Sequence, residues 1–390
     1  MISIVAQENA QEFLRRAKQN ERVAHAYLFH GPEGSGKEAL ALLAAQTFFC
    51  AASHSPPAPP ATISLFDEPA AKPAVHASAN AALACGNCSA CRRVAAMMHP
   101  DVRVIFPRAA SAGEDERTEV LRSLATNPYR RLRPWENPTM LIDDIRGLKR
   151  DFGMTSYEGH GFVALILEAD RMKAEAANAL LKILEEPPPQ TLMILTATSL
   201  DNILPTIVSR CQPVRLLILT RAQIAAALRE KYGIPAERAE FIAKLANGNL
   251  RRALELLDED VDTRRQQAVA FLRMAFRFNK PVEQMDFLNA LVREHDRRDL
   301  RQLLEFCTLW IRDGYVLKVL AGSQQASAAI INTDQERQLA DLIKNLPEFD
   351  FPGVIAELEL AMECLDRYVQ PWLVLMVLLY RIQKLSGSRK

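Results

Sequence analysis

Apolar residues fall into two regimes along the 390-residue chain. In the first half, short unbroken apolar runs alternate with helix-like stretches. Ala26-Tyr27-Leu28-Phe29 is such a run and ends in Gly31-Pro32, which predicts a strand feeding a glycine turn. Residues 8–19 precede it as a helix with Phe13 and Leu14 facing inward. Glu38 to Gln46 follows it as a strong helix former. Gly161 to Leu167 and Leu192 to Ala197 are continuous apolar runs of the kind buried parallel strands show. The segments 143–152 and 173–185 read as the helices before and between them, the second stopped by Pro187-Pro188-Pro189. Strands alternating with helices predict an α/β layered domain with a parallel sheet.

Beyond about residue 216 the strand signal disappears. Residues 221–230, 235–246 and 249–257 predict three short helices. Leu300, Leu303, Leu304, Cys307 and Ile311 recur at the spacing of one helix face. Asn345 to Pro352 predicts a break, and 369–385 a last, very apolar helix. Two stretches interrupt the regular pattern. In residues 51–84, 18 of 34 positions are Ala or Pro, the composition of a mobile surface insertion. Residues 107–138 are irregular, with one helix around Glu114 to Leu124.

Charge changes little in this picture. The balance of 48 basic and 47 acidic residues gives a net +1, so any contact with nucleic acid needs a local patch. The basic triplet Arg130-Arg131-x-Arg133 is a candidate patch whose plainer reading is a solvated loop. The longest apolar run, Trp372 to Tyr380, is nine residues, too short to span a bilayer and suited to a buried helix. Met1 to Arg16 carries no secretory pattern, so the expected compartment is the cytoplasm and no membrane partner is expected.

The chemistry begins at the glycine turn. Gly31-Pro-Glu-Gly34-Ser-Gly36-Lys37-Glu38 follows the phosphate-loop pattern except at its end, where Glu38 stands in place of Ser or Thr. In such a loop, backbone N–H groups and the lysine cradle phosphates, and the hydroxyl holds Mg²⁺. A second metal-handling element should be an apolar strand ending in Asp-Glu. Here Val163 to Leu167 runs into Glu168, with Leu167 where the metal-ordering Asp belongs. Two altered metal positions predict lost hydrolysis and leave ATP or ADP binding open, with Gly31, Gly34, Gly36, Lys37 and Arg251 as the candidate nucleotide-binding residues.

Three stretches carry a more specific likeness. His25 to Phe29, Ala177-Asn178 through Glu186-Pro187-Pro188, and Pro205-Thr-Ile-Val-Ser209-Arg210-Cys211 resemble, in this order and spacing, the clamp-loader branch of the AAA+ proteins. The likeness covers residues 1–260 well and the remainder by helical character alone. It implies an α/β AAA+ P-loop domain over 1–215, a small helical lid over 216–275 and an all-α collar over 276–390. It implies Arg210 as an arginine finger acting in trans at a neighbour's ATP site, and Arg251, in Gly248-Asn-Leu-Arg251, as a phosphate sensor. Thr198 is a weaker sensor candidate. The implied partners are gamma/tau-type and delta-type subunits in a hetero-pentamer, a sliding clamp and primed DNA. Motor subunits of the family keep an intact loop and an Asp-Glu-Ala-Asp strand end. This chain departs from both, which implies a non-hydrolysing subunit, with an active motor as the alternative.

Cys85-x-x-Cys88-x-x-Cys91 supplies three thiolates, and Cys50 a fourth. Four cysteines make a closed structural zinc site, and the resemblance implies the same four ligands, here with 34 residues between the first two. Loop closure cost grows slowly with length, so the insertion is compatible with the site. An iron–sulfur centre lacks its expected proline, and His99 is the lesser candidate for fourth ligand. Thr62-Ile63-Ser64-Leu65-Phe66, inside the insertion, resembles a short clamp-binding motif without its leading Gln.

Overall fold

A computed structural model describes residues 4–20, 23–51, 83–135, 137–258, 260–275, 277, 280–320 and 329–386. Thr62 to Phe66 and nearly all of the 51–84 insertion lie outside the described residues. The chain divides into two compact units, residues 1–255 and 256–390.

The first unit begins with α1 (Glu8–Gln19), β1 (Ala26–His30), α2 (Lys37–Phe49), α3 (Ser89–Ala95) and β2 (Val102–Ile105). Then come α4 (Glu114–Thr126), α5 (Ile142–Phe152), β3 (Phe162–Ile166), α6 (Ala174–Glu185) and β4 (Thr191–Ala197). It continues through α7 (Pro205–Val208), β5 (Gln212–Arg215), α8 (Arg221–Tyr232), α9 (Ala236–Leu245) and α10 (Leu250–Asp258), whose last turn crosses the division.

The five strands form one parallel sheet in the order β2-β3-β4-β1-β5. The period-2 alternation of a strand sorts their side chains onto two faces. Tyr27, Phe29, Val163, Leu165, Leu192 and Ile194 join α2 and α4 on one face. Leu28, Ala164, Ile166, Met193 and Leu195 join α5 and α6 on the other. Covered on both sides, β3 and β4 are buried at every position, which is why they read as unbroken apolar runs. β2 and β5 are the sheet edges. In β5 only Val214 is buried, so its four residues carry no apolar run to read. From β1 the chain passes the places of β4 and β3 to reach β2 at the edge, and β4 later fills the place beside β1, which leaves the turn after β1 at the carboxyl ends of the strands, where open α/β sheets place their ligands. One inward assignment fails. Leu14 is buried, but Phe13 is 37% exposed and meets Tyr27 edge to face.

The second unit is helical: α11 (Val261–Ala275), α12 (Pro281–Glu294), α13 (Arg297–Val319), α14 (Glu336–Asn345), α15 (Phe351–Asp366) and α16 (Pro371–Leu385). The stripe Leu300, Leu303, Leu304, Cys307 and Ile311 is buried on α13 as its spacing requires. Gly314 lets α15 approach, since a Cβ there would sit 2.7 Å from the Phe351 ring. Asp313, 2% exposed, accepts hydrogen bonds from the backbone of Ile331 and Asn332 and from the Asn332 amide. Arg265 donates to Asn332 Oδ1, so this polar network is satisfied within the unit. The predicted break ends earlier than Pro352. Asp350 accepts from Gly353 N and caps α15, and Pro352 sits in its first turn, where its missing N–H is harmless. No described helix is long and apolar enough to cross a membrane.

Candidate functional site

The glycine loop joins β1 to α2 as the motif demands, but its surroundings are crowded. Gly34 and Gly36 hold φ of +70° and +97°, the left-handed region where glycine is strain-free. A Cβ on Gly34 would lie 2.0 Å from Asn249 Oδ1, and one on Gly36 would lie 2.7 Å from the Tyr129 hydroxyl. The side chain of Gln7 donates to Ser35 O and Leu217 O, tying the loop to the segment after β5. The Tyr129 hydroxyl in turn accepts from Val5 N at 2.8 Å. Lys37 turns back on its own loop, donating to Gly31 O and Pro32 O at 2.7 Å each. Burial lowers its pKa, against the pull of Glu38 and Glu33.

Glu38, standing where the metal-binding hydroxyl belongs, accepts from Arg131 Nε at 3.0 and 3.2 Å. Arg131 is 1% exposed, and its other edge donates to Glu168 at the end of β3. Arg133 pairs with Glu33 and reaches Glu168 at 2.9 Å, and Arg171 Nε closes on the other Glu168 oxygen at 2.9 Å. Arg251 Nε bonds Glu255 at 3.0 Å and stands 3.9 Å from Glu33. Burial by itself would raise the Glu168 carboxyl. The guanidiniums of Arg131, Arg133 and Arg171 outweigh it and hold the pKa below the usual range. A carboxylate clamped by three cations is a poor proton acceptor.

The candidate nucleotide residues Gly31, Gly34, Gly36, Lys37 and Arg251 are thus brought together, with protein cations among them. Arg131 is neither a solvated loop residue nor available to DNA, which corrects that reading of the basic triplet. A signal for it was present. Two carboxylates, Glu38 and Glu168, stand close to the phosphate-type loop, and buried carboxylates need cationic partners. Thr198 N donates to Asp170 Oδ2 just past β4, whereas Thr196 is the residue whose hydroxyl accepts from Glu168 N.

Arg210 follows α7 on the surface. Nη1 donates to Thr206 O at 3.0 Å, and Nη2 meets Glu185 Oε1 at 2.9 Å, with the side chain 36% exposed. Its neighbour Cys211 points inward, where burial pushes the thiol up to about 12.

Cys50 ends α2, and Cys88 caps α3, whose first turn holds Cys91. The four sulfurs of Cys50, Cys85, Cys88 and Cys91 lie within 4.8 Å of one another, with Cys85 and Cys91 at 3.9 Å. Tetrahedral Zn–S bonds of about 2.3 Å require sulfur separations of about 3.8 Å, so the donor set fits a metal ion. Backbone N–H groups point at the sulfurs, Cys85 N at Cys50, Cys88 N at Cys85 and Cys91 N at Cys88. The N–H of Cys88 leads in pulling the Cys85 thiol down. Burial pushes the Cys91 thiol up. His99 stands apart from this set. Its ring stacks on Phe49, Nδ1 accepts from Asp101 N, and Nε2 lies 3.2 Å from Glu158.

A parallel sheet with a phosphate-type loop between β1 and α2, followed by a helical C-terminal unit, defines an α/β P-loop protein. The family described as DNA polymerase III, delta subunit, matches residues 6–60 and 69–219, more than half of the chain, and the chain belongs to that family. It is similar to the DNA polymerase III subunit delta' of Bacillus subtilis, 29% identical over 254 residues, covering 65% of this chain and 60% of that protein. It is also similar to the delta' subunit of Pseudomonas aeruginosa, 32% identical over 250 residues and covering 63% and 60%. The match to the Haemophilus influenzae delta' subunit is 26% identical and runs over 331 residues, 83% of this chain and 77% of that protein. The chain thus spans about three fifths of the length of the first two of these relatives.

Proposed function

We propose that this chain is a non-hydrolysing clamp-loader subunit, a stator of the delta-prime kind. It donates Arg210 to the ATP site of an adjacent gamma/tau-type motor and helps load a sliding clamp onto primed DNA. The observation that carries this reading is the pairing of Glu38 and Glu168 with Arg131. In this reading the chain's own charges take the place that Mg²⁺ and the terminal phosphates would hold in a motor, and the half-exposed Arg210 is left for a neighbour. A guanidinium in trans spreads over charge developing on a γ-phosphate and needs no nucleotide in its own subunit. Residues 276–390 serve as the collar that joins the subunit to its gamma/tau and delta neighbours in a five-membered ring. The outer face of α5 suits the DNA backbone better than the buried Arg131. There Arg146, Lys149 and Arg150, with Asp143, line an open hollow of about 670 Å³.

The test is nucleotide binding by the isolated chain. Titration calorimetry with Mg-ATP or Mg-ADP is expected to give no saturation up to about 1 mM, an affinity weaker than about −4 kcal/mol. Saturation at micromolar nucleotide would remove the self-paired loop as the ground for this reading, and turnover of that nucleotide by the isolated chain would return it to the motor class.

Cys50, Cys85, Cys88 and Cys91 hold zinc in this reading. Four thiolates leave no open position, so the ion contributes folding energy and no catalysis. Metal analysis is expected to find one zinc per chain, lost in Cys85→Ser. The loss costs about 3 kcal/mol or more, well inside the ~10–16 kcal/mol such sites give small peptides. A metal-free wild type with unchanged melting on chelation would remove zinc from the account.

A further inference from the structure

Two motifs of the first unit, Leu184-Glu185-Glu186-Pro187-Pro188 and Ser209-Arg210-Cys211, meet in the fold although 25 residues separate Glu185 from Arg210. Glu185 is the last residue of α6, and three prolines from Pro187 onward stop the helix there. α7 packs beside that end and delivers Arg210 to it. The guanidinium is gripped at two points that fix both position and plane: Nη2 on Glu185 Oε1 at 2.9 Å, and Nη1 on Thr206 O at 3.0 Å. The C-terminal end of α6 adds a partial negative charge there. Cys211, buried beside it, anchors the backbone from below. An arginine with several rotatable bonds, exposed by about a third, would otherwise sample many rotamers.

We infer that Glu185 is a positioning residue for Arg210, holding the guanidinium in one place and one plane for the neighbour's γ-phosphate. The inference rests on the finger role proposed above. It explains why an acidic residue closes α6 at this point. The carboxylate restricts Arg210 before assembly, so less of the ordering remains to be done when the two subunits meet. Thr206 contributes a main-chain acceptor, which side-chain substitution leaves in place.

The experiment is steady-state ATP hydrolysis by the assembly reconstituted with gamma/tau-type and delta-type partners. It compares wild type, Glu185→Ala, Glu185→Gln, Arg210→Ala and the double variant Glu185→Ala/Arg210→Ala, each checked for assembly by size exclusion. Glu185→Ala is expected to lower kcat about tenfold at unchanged KM for ATP, the scale of a misplaced catalytic group. Glu185→Gln, which keeps an acceptor oxygen, is expected to recover most of the rate. The double variant is expected to be no slower than Arg210→Ala alone. Glu185→Ala at wild-type or higher rate, with Arg210→Ala impaired, overturns the positioning role and leaves the finger standing. If Arg210→Ala is itself at wild-type rate, the finger reading fails first, and the inference falls with it.

Discussion

Arg131→Ala is expected to destabilise the first unit by about 3–5 kcal/mol, the cost of removing one partner from a buried ionic group. The guanidinium lies between Glu38 and Glu168, whose side chains are only 12% and 11% exposed. Arg133 and Arg171 still serve Glu168 after the substitution, but Glu38 loses the partner it meets at 3.0 Å. Urea denaturation should show the loss as a lower midpoint at similar slope. Glu38→Thr added to Arg131→Ala is expected to restore about half of it, because it removes the stranded carboxylate.

The pH dependence has a definite sign. Glu168 titrates below its ordinary value in the folded chain. A carboxylate so depressed contributes stability that is present above its unfolded pKa, about 4.3, and is lost as pH falls through the folded value. Without Arg131, burial meets less opposition and the folded pKa rises, so the contribution shrinks. The gap between wild type and Arg131→Ala is therefore largest near pH 7 and closes as pH falls through the depressed folded value of Glu168, where that carboxylate is neutralised in both proteins. A loss under about 1 kcal/mol, flat with pH, would mean that water screens the cluster and the loop is not held shut by it.

How much of this was legible in the sequence follows from how local each signal is. β3 and β4 could be read because a strand covered on both faces must be apolar throughout. β2 and β5 are four-residue edges whose partners, not their composition, make them strands. The phosphate loop, the cysteine set and the Arg210 motif are written in short spacings. Each therefore stood out, and the four sulfurs gather as their spacing suggests while Gly34 and Gly36 take the left-handed turn of the loop. What stayed hidden was pairing at a distance. Arg131 and Glu38 lie 93 positions apart and meet only once the unit is folded. A basic triplet between Asn127 and Pro134 looks like a solvated loop until two misplaced carboxylates are found beside it. The grip of Glu185 on Arg210 was hidden for the same reason, since each motif looks complete by itself.

Arg210→Ala is expected to reduce ATP hydrolysis at the neighbouring subunit's site about 10³-fold, the lower end of what a finger supplied in trans contributes elsewhere. The chain itself should notice little. The pair with Glu185 is half exposed, and such surface pairs contribute about 0–1 kcal/mol, so melting and assembly should match wild type. That separation is the diagnostic part. A structural arginine lost from a strand end would weaken folding or association together with the rate. A finger lost from an intact surface removes the rate alone, through kcat, while KM for ATP stays near its wild-type value. Arg210→Lys should behave as the alanine variant does, because an ammonium cannot span two phosphate oxygens with a planar fork. If single-turnover hydrolysis at the adjoining site is as fast with Arg210→Ala as with wild type, the chain gives its neighbour no catalytic group. The proposed role in a ring would then rest on holding other subunits in place, without a catalytic contribution.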